Sequence, residues 1–233
     1  MLDLNHEFVV RFKKEFRCPA EFGKDLDREE YTDETWAALK PFIGNGFELF
    51  SGVSKAAFVG PDFALKVPFT HFWEEVCDDD ETGYDSVCEE MYQDYCALEL
   101  SLYHEIADAG YGIFVAETVA VDGTSAILQE IVTSVSNLEP ELYNKYKATE
   151  ENYSRVKTIR ADSSNRRLSN LAYSIPTDCL AAFIAHYGET RTFEFLRWCS
   201  DEHPEILEDI HGGNWGFRTD GTPAFLDFCG WER

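Results

Sequence analysis

Apolar and polar positions change their spacing several times along the chain, and each change predicts a different element. In residues 1–43, the capping residues Thr32-Asp33-Glu34 stand before Trp36, Leu39 and Phe42, which recur at helical spacing. We therefore expect residues 1–43 to be helical and to form a segment that is accessory to the rest of the chain.

Three strand pairs are predicted where short apolar runs flank turn residues. Within residues 47–69, two strands surround the turn Gly60-Pro61-Asp62. The runs GIFVAETVAV and SAILQEIV flank Asp122-Gly123, and an Asp-Gly pair supplies the positive backbone angles that a tight turn needs. The run WGFRTDGTPAFLDF turns in the same way at Asp220-Gly221. With the helices, these runs predict the order helix, two strands, long helix, two strands, helices, loop and two short strands.

Helices are predicted in two further stretches, while a third stretch shows no clear period. Residues 86–109 read as one long helix that ends at Gly110. Residues 177–200 resume the helical spacing with a break at Gly188, whereas residues 133–175 are polar and the least readable part of the chain. The apolar stripe of the long helix consists of Met91, Tyr95, Leu98, Leu102 and Ile106. This order of elements predicts an α+β fold.

The charge balance narrows the classes of partner. The chain has 44 Asp and Glu residues against 20 Lys and Arg residues, a formal net charge of -24. A field of this sign repels nucleic acid and anionic lipid, and it favours a partner with a basic surface. The acidic residues 74–81 are read as a solvated loop, with a docking surface as the alternative.

Cysteine usage and hydropathy bear on the cellular compartment. The seven cysteines include no CxxC pair and are odd in number, so neither a zinc ribbon nor a complete disulfide framework is indicated. The N-terminal residues lack the apolar core of a signal peptide, and no stretch approaches the roughly 18 apolar residues of a membrane span. We therefore expect a cytoplasmic protein that does not contact membranes.

The residue types that phosphoryl transfer requires stand near the end of the sequence. That reaction needs a carboxylate near the attacking hydroxyl and oxygen ligands for a magnesium ion on the nucleotide phosphates. The segment 209–214 reads DIHGGN, and LDF follows at 226–228. Asp209, Asn214 and Asp227 thus reproduce the spacing between the catalytic loop and the metal-binding Asp of protein kinases.

The chain resembles protein kinases upstream as well, in the same order. Ala64-Leu65-Lys66 resembles the kinase VAIK strand, residues 51–58 resemble a degenerate glycine-rich loop, and ILQEIV at 127–132 resembles a hinge. The loop and the DxHxGN motif are most similar to those of the small serine/threonine protein kinases of T7-like bacteriophages. The DxHxGN form is also found in aminoglycoside phosphotransferases and ABC1-type atypical kinases. The resemblance covers roughly residues 44–231.

The resemblance implies a minimal two-lobed protein-kinase-like fold. Residues 1–43 would be the accessory segment, residues 44–132 an N-lobe, and residues 133–233 a truncated C-lobe. The sequence ends six residues after Asp227, from which we expect no activation segment and none of the later C-lobe helices. Leu207-Glu208 stands where typical kinases have His-Arg, so sensing of an activation-loop phosphate by that arginine is not expected.

The resemblance also implies ATP and Mg²⁺ as cofactors and gives each site residue a role. Asp209 would orient the acceptor hydroxyl and take its proton, while Asn214 and Asp227 would bind the magnesium ion. His211 is expected to brace the loop by hydrogen bonding and not to bind metal.

The remaining site residues would bind the nucleotide. Lys66 would hold the α and β phosphates and pair with Glu99, for which Glu89, Glu90 and Glu105 are alternatives on the same predicted helix. Gln129 would be the gatekeeper residue beside the base, and the backbone of Glu130 and Val132 would contact adenine. The glycine-rich loop would contribute Gly52 and Ser54.

Three functions remain open from the sequence. The first is a magnesium-dependent kinase that phosphorylates serine or threonine of host proteins in the host cytoplasm. The resemblance implies that such a kinase is encoded by a phage. The second is a phosphotransferase that acts on a small molecule, which the DxHxGN motif favours. The third is a pseudokinase whose acidic surface binds and inhibits a basic host protein, which the degenerate glycine-rich loop favours.

Overall fold

The computed structural model describes residues 2–17, 36–44, 46–51, 55–68 and 95–228. The chain divides into two compact units, of which the first comprises Met1–Leu100 with Thr118–Gln129 and the second Ser101–Glu117 with Glu130–Arg233. Both units mix helices and strands, so the expected α+β class is confirmed. Within the described ranges, no helix is long and apolar enough to cross a membrane.

The first unit contains a five-stranded sheet in the order β1-β2-β3-β5-β4. The hairpin predicted at Asp122-Gly123 is confirmed, since β4 and β5 pair antiparallel and Gly123 has a φ of 76°. The described residues between 47 and 68 form three strands and not the predicted two, because the apolar positions of 47–59 belong to two strands, β1 and β2, that pair antiparallel. The strands are β1 (Glu48–Ser51), β2 (Lys55–Val59), β3 (Phe63–Pro68), β4 (Thr118–Ala120) and β5 (Ile127–Glu130).

Helix α1 (Glu7–Glu15) packs its apolar face against this sheet. Its N-terminus is capped by His6, whose Nδ1 accepts a hydrogen bond of 3.2 Å from the backbone of Phe8. Phe8 in turn stacks on Phe47 with ring centroids 4.0 Å apart. A 3-10 turn at Lys40–Phe42 adds Phe42 to the same core. Described parts of residues 1–43 are therefore helical and share one hydrophobic core with the strands.

Helix α2 (Tyr95–Asp108) is the described part of the long helix predicted at 86–109, and residues 86–94 of that prediction lie outside the described ranges. In its buried face, Cys96 and Glu99 stand where the predicted stripe has Tyr95 and Leu98, a shift of one residue at each place. Leu98 is 38% exposed, whereas Glu99 is fully buried. Cys96, Leu102 and Ile106 complete the buried face at spacings of three and four residues.

The second unit is mainly helical and contains a three-stranded antiparallel sheet. Its strands are β6 (Thr133–Ser134), β7 (Trp215–Phe217) and β8 (Pro223–Phe225), in the order β6-β7-β8. The predicted turn at Gly221 is confirmed, with a φ of 89°. The helices are α3 (Pro140–Tyr146), α4 (Glu150–Ala161), α5 (Arg166–Ser174), α6 (Thr177–Tyr187), α7 (Glu189–Glu202) and α8 (Pro204–Glu208).

The break predicted at Gly188 lies between α6 and α7, where the glycine has a φ of 80°. Two cysteines of these helices, Cys179 and Cys199, lie in the core of the second unit, and burial raises the pKa of both thiols. A third buried cysteine, Cys96, lies on α2 in the first unit. Burial of this kind makes a cysteine behave as a small apolar residue.

Candidate functional site

A buried group of charged and polar side chains gathers around Glu99 in the first unit. The Glu99 carboxylate is fully buried, and its Oε1 accepts hydrogen bonds from Lys66 Nζ at 2.8 Å and Gln129 Nε2 at 2.7 Å. Its Oε2 accepts a hydrogen bond from Lys55 Nζ at 2.7 Å. Gln129 Nε2 also donates to Thr118 Oγ1 at 3.1 Å. We call Lys55, Lys66, Glu99, Thr118 and Gln129 the Glu99 cluster.

Strand register explains why these side chains meet. Lys66 on β3 lies directly opposite Ala57 on β2, and Lys55 is two residues from Ala57 on the same strand. Side chains two positions apart on a strand share a face, so the two lysines are diagonal neighbours on one face of the sheet. On β4 and β5, Thr118 lies directly opposite Gln129.

The cluster confirms the predicted ion pair between Lys66 and Glu99. Glu105, an alternative partner, instead lies 3.2 Å from His203 Nε2, and Glu89 and Glu90 lie outside the described residues. The sequence did not predict Lys55 as a site residue, because its hydrogen bond to Glu99 joins residues that are 44 positions apart and depends on the tertiary structure. The only available signal was a lysine set between small and apolar residues on a strand.

The predicted hinge residues follow at the end of β5. Glu130 donates its backbone N–H to Glu117 O at 2.8 Å, and its Oε2 accepts a hydrogen bond of 3.2 Å from Glu117 N. Arg218 Nε donates to both carboxylate oxygens of Glu130, at 2.9 and 3.0 Å. Val132 is buried and packs with Ala116 and Ala224. Glu130 is thus held by hydrogen bonds to Glu117 and Arg218, and Val132 is held by apolar packing.

Arg218 was not predicted as a site residue, yet it ties several segments of the second unit to the strand pair β7–β8. Besides Glu130, its guanidinium donates to the carbonyl oxygens of Val115 at 2.8 Å and Ile113 at 3.2 Å. Tyr187 donates its hydroxyl to Pro223 O at 2.7 Å beside this group, and burial raises the pKa of Tyr187 to about 12. The planar, always charged guanidinium suits such a junction because it carries five donors in a fixed geometry.

The loop between α8 and β7 holds Asp209 and Asn214 together. Asn214 is buried and its Nδ2 donates to Asp209 Oδ2 at 2.8 Å and to Asp209 O at 2.9 Å. His211 Nδ1 accepts a hydrogen bond of 2.9 Å from Gly213 N, which confirms the bracing contact expected of His211. A bond of 2.9 Å from Ser136 N to Gly212 O fixes the loop from the side of β6.

The loop is also joined to the strand end that precedes Asp227. Leu226 donates its backbone N–H to Asn214 O at 3.1 Å, and Asp227 is the next residue. Gly216 on β7 permits a close approach of β6, because a Cβ built there would lie 1.9 Å from Thr133 O. The structure therefore brings Asp209, Asn214 and the backbone beside Asp227 into one hydrogen-bonded segment of the second unit.

The donor set of this segment suits magnesium. Across the described ranges, no group of three or more His, Cys, Asp and Glu residues lies together in a way that could hold a metal ion. Mg²⁺ does not require such a group, because it is commonly bound through one or two carboxylates with phosphate oxygens and water. The Asn214 amide nitrogen is used by Asp209, so its oxygen is the atom suited to a cation.

Each unit thus brings together its own predicted residues. Lys66, Glu99 and Gln129 meet in the first unit, and Asp209 and Asn214 meet in the second. The predicted loop residues Gly52 and Ser54 lie outside the described residues.

No protein-family model matches the chain, and a search of the curated proteins finds no match either. The kinase resemblance therefore depends on the motifs and on the geometry of their side chains.

Proposed function

We propose that the protein is a minimal two-lobed, protein-kinase-like phosphotransferase that transfers the γ-phosphate of ATP to serine or threonine of a protein. The observation that carries this proposal is the pairing of Asn214 with Asp209 in the DIHGGN loop. This pairing supports separate roles for the two residues, in which the Asp209 carboxylate binds the acceptor and the Asn214 amide oxygen binds the metal at a fixed distance from it. The buried pair of Lys66 and Glu99 adds support from the first unit.

Asp209 would act on the acceptor. Its side chain is partly exposed, so a hydroxyl group can reach it. The hydroxyl oxygen would attack the γ-phosphorus, the bond from that phosphorus to the β–γ bridging oxygen would break, and ADP would leave. Asp209 would accept the hydroxyl proton as the new bond forms. The bond from Asn214 would orient the carboxylate for this step.

Asn214 and Asp227 would hold Mg²⁺ through an amide oxygen and a carboxylate. The ion, when bound, would neutralise charge that develops on the phosphates. The bond from Leu226 N to Asn214 O would keep the two ligands at constant spacing along the backbone.

The nucleotide would use residues of the Glu99 cluster and the β5 end. Lys66, oriented by Glu99, would bind the α and β phosphates. The backbone of Glu130 and Val132 would contact adenine, and Gln129 would stand beside the base. Gly52 and Ser54 would contribute from the glycine-rich loop.

The decisive experiment measures transfer from ATP that is labelled at the γ-phosphate, with magnesium, to the purified protein alone and to a cell lysate. We expect label on protein serine or threonine, and we expect Asp209→Asn to reduce transfer about 100-fold or more while ATP affinity stays nearly constant. Label on small solutes only would favour a small-molecule phosphotransferase. Binding of a partner without any transfer would favour a pseudokinase.

The magnesium assignment has its own test. We expect Asp227→Ala to abolish the increase in ATP affinity that magnesium causes, because no neighbouring group replaces a carboxylate that bridges metal and phosphate. Calorimetric titrations of ATP with and without magnesium measure this difference. An unchanged magnesium effect in the variant would contradict the assignment.

The acceptor is expected to be a basic protein of the host. A net charge of -24 attracts basic surfaces, and exposed charges are screened over about 10 Å at about 0.1 M ionic strength. Phosphorylation of a basic acceptor should therefore fall steeply as salt rises, while ATP turnover without acceptor should change much less. Preference for acidic acceptors, or no salt effect, would leave the negative charge with a role in solubility only.

A further inference from the structure

Lys55 makes the same kind of contact with Glu99 as the lysine that the resemblance identified. Lys55 Nζ lies 2.7 Å from Glu99 Oε2, and Lys66 Nζ lies 2.8 Å from Glu99 Oε1. The two side chains are almost equally buried, with exposed fractions of 8% and 9%. One fully buried carboxylate therefore orients two lysines, one through each oxygen.

A second buried lysine is costly unless it has a use. Removing an ammonium group from water carries a penalty of several kcal/mol, roughly, even in a relaxed protein environment. Lys55 shares its sheet face with Ala57, which is half-buried, whereas the fully buried Ala56 and Phe58 lie on the opposite face.

The chemistry of the ammonium suggests the use. An ammonium group has three N–H donors, so a lysine that is held by a carboxylate can donate to phosphate oxygens at the same time. Lys55 is the first residue of β2 and belongs to residues 51–58, the segment that resembles a degenerate glycine-rich loop. Register places it on the same sheet face as Lys66.

We propose that Lys55 is a second phosphate-binding lysine of the nucleotide site, which Glu99 positions together with Lys66. This inference rests on the proposed function, since it assigns one more residue to the same ATP site. It predicts that Lys55 on β2 and Lys66 on β3 both bind phosphate oxygens of ATP, so that substitution of either lysine weakens ATP binding.

The first experiment compares two ligands that differ only in their phosphates. ATP with magnesium and adenosine are each titrated into the wild type, Lys55→Met, Lys66→Met and the control Lys13→Met, which alters a half-buried lysine of the same unit that lies outside the Glu99 cluster. A bond to a charged group is worth about 1.5–3 kcal/mol, so we expect ATP to bind Lys55→Met about tenfold more weakly or worse. Adenosine affinity should change less than about twofold, because adenosine carries no phosphate.

The outcomes separate the inference from the function on which it rests. A loss of ATP affinity with adenosine affinity retained supports a phosphate contact. An equal loss of affinity for ATP and adenosine, or no loss for either ligand, overturns the inference. The proposed function still stands in that case if the wild type binds ATP. No ATP binding by the wild type overturns both.

A second measurement needs no variant and so does not depend on the folding of Lys55→Met. An acyl phosphate of ATP is added to the wild type, where a deprotonated lysine amine beside the phosphates attacks the acyl carbon. The bond from the acyl carbon to the phosphate oxygen breaks, ATP leaves, the amine proton is released to water, and an amide remains on the lysine. We expect mass spectrometry to find the acyl group on Lys55 and Lys66 but not on Lys13. Acylation of Lys66 alone overturns the inference.

Discussion

The Glu99 cluster and the DIHGGN loop both hold charged groups, but they hold them by different means. In the cluster, fully or nearly buried side chains from β2, β3 and β5 donate to Glu99 on α2, and these three bonds span 30 or more residues. In the loop, the side-chain bonds of Asn214 and His211 join residues within five positions, and Asp209 stays partly exposed.

The two sites therefore hold their carboxylates under different constraints. A buried carboxylate among lysines must remain paired, because an uncompensated buried charge is strongly destabilising. A partly exposed carboxylate on a braced loop needs no such pairing and remains accessible to an acceptor. The cluster should therefore be sensitive to the loss of a charge, and the loop should be sensitive to a change in backbone packing.

The largest effect is expected from Glu99→Gln. The variant removes the carboxylate that accepts from Lys55 and Lys66, and breaking a buried ion pair costs about 3–5 kcal/mol. Denaturant unfolding would measure the loss in the free energy of unfolding.

Glu105→Gln on the same helix is the matched control. The Glu105 side chain is 54% exposed and lies beside His203, so this variant should lose less than about 1 kcal/mol. Equal losses in the two variants would contradict the distinction between buried and exposed carboxylates on α2.

A smaller effect is expected from Gly216→Ala, which changes no charge. The added methyl group would lie 1.9 Å from Thr133 O, so β6 and β7 must separate, and overpacking of this kind costs about 1–3 kcal/mol. Thermal unfolding and the transfer assay should both register the change. In Gly112→Ala the nearest atoms lie 3.4 Å away, and this control should stay within about 1 kcal/mol of the wild type.

The smallest effect on stability is expected from Asp209→Asn, although this variant should have the largest effect on transfer. An asparagine oxygen can still accept the bond from Asn214, so the free energy of unfolding should fall by about 1 kcal/mol or less. Denaturant unfolding beside the transfer assay checks both expectations. A stability loss as large as that of Glu99→Gln would show that the loop also depends on its charge.

Local chemistry made several parts of the fold predictable from the sequence. The turns at Gly123 and Gly221 and the break at Gly188 follow from residues that accept positive φ, and all three glycines adopt it. Strand β6 was missed because Thr133–Ser134 is too short to show alternation. The helices α3, α4 and α5 were missed because their sequences are largely polar.

The candidate site was predictable only where a motif carried it. Lys66 and Glu99 were paired by resemblance, and the structure confirms that contact. Lys55 and Arg218 have no such motif, because their contacts with Glu99 and Glu130 are set by strand register and by packing across 44 and 88 residues. Long-range contacts of this kind leave no periodic trace in a single sequence.

The buried cysteines allow local unfolding of each unit to be measured by thiol alkylation. We call such local unfolding the opening of a unit. A thiolate is the form that reacts with alkylating reagents, so burial and the raised pKa of Cys179 and Cys199 make both residues inert in the closed state. Alkylation kinetics at these positions should therefore follow the opening of the second unit, and kinetics at the buried Cys96 the opening of the first. Peptide mapping of a single time course would then give an opening rate for each unit in the same sample.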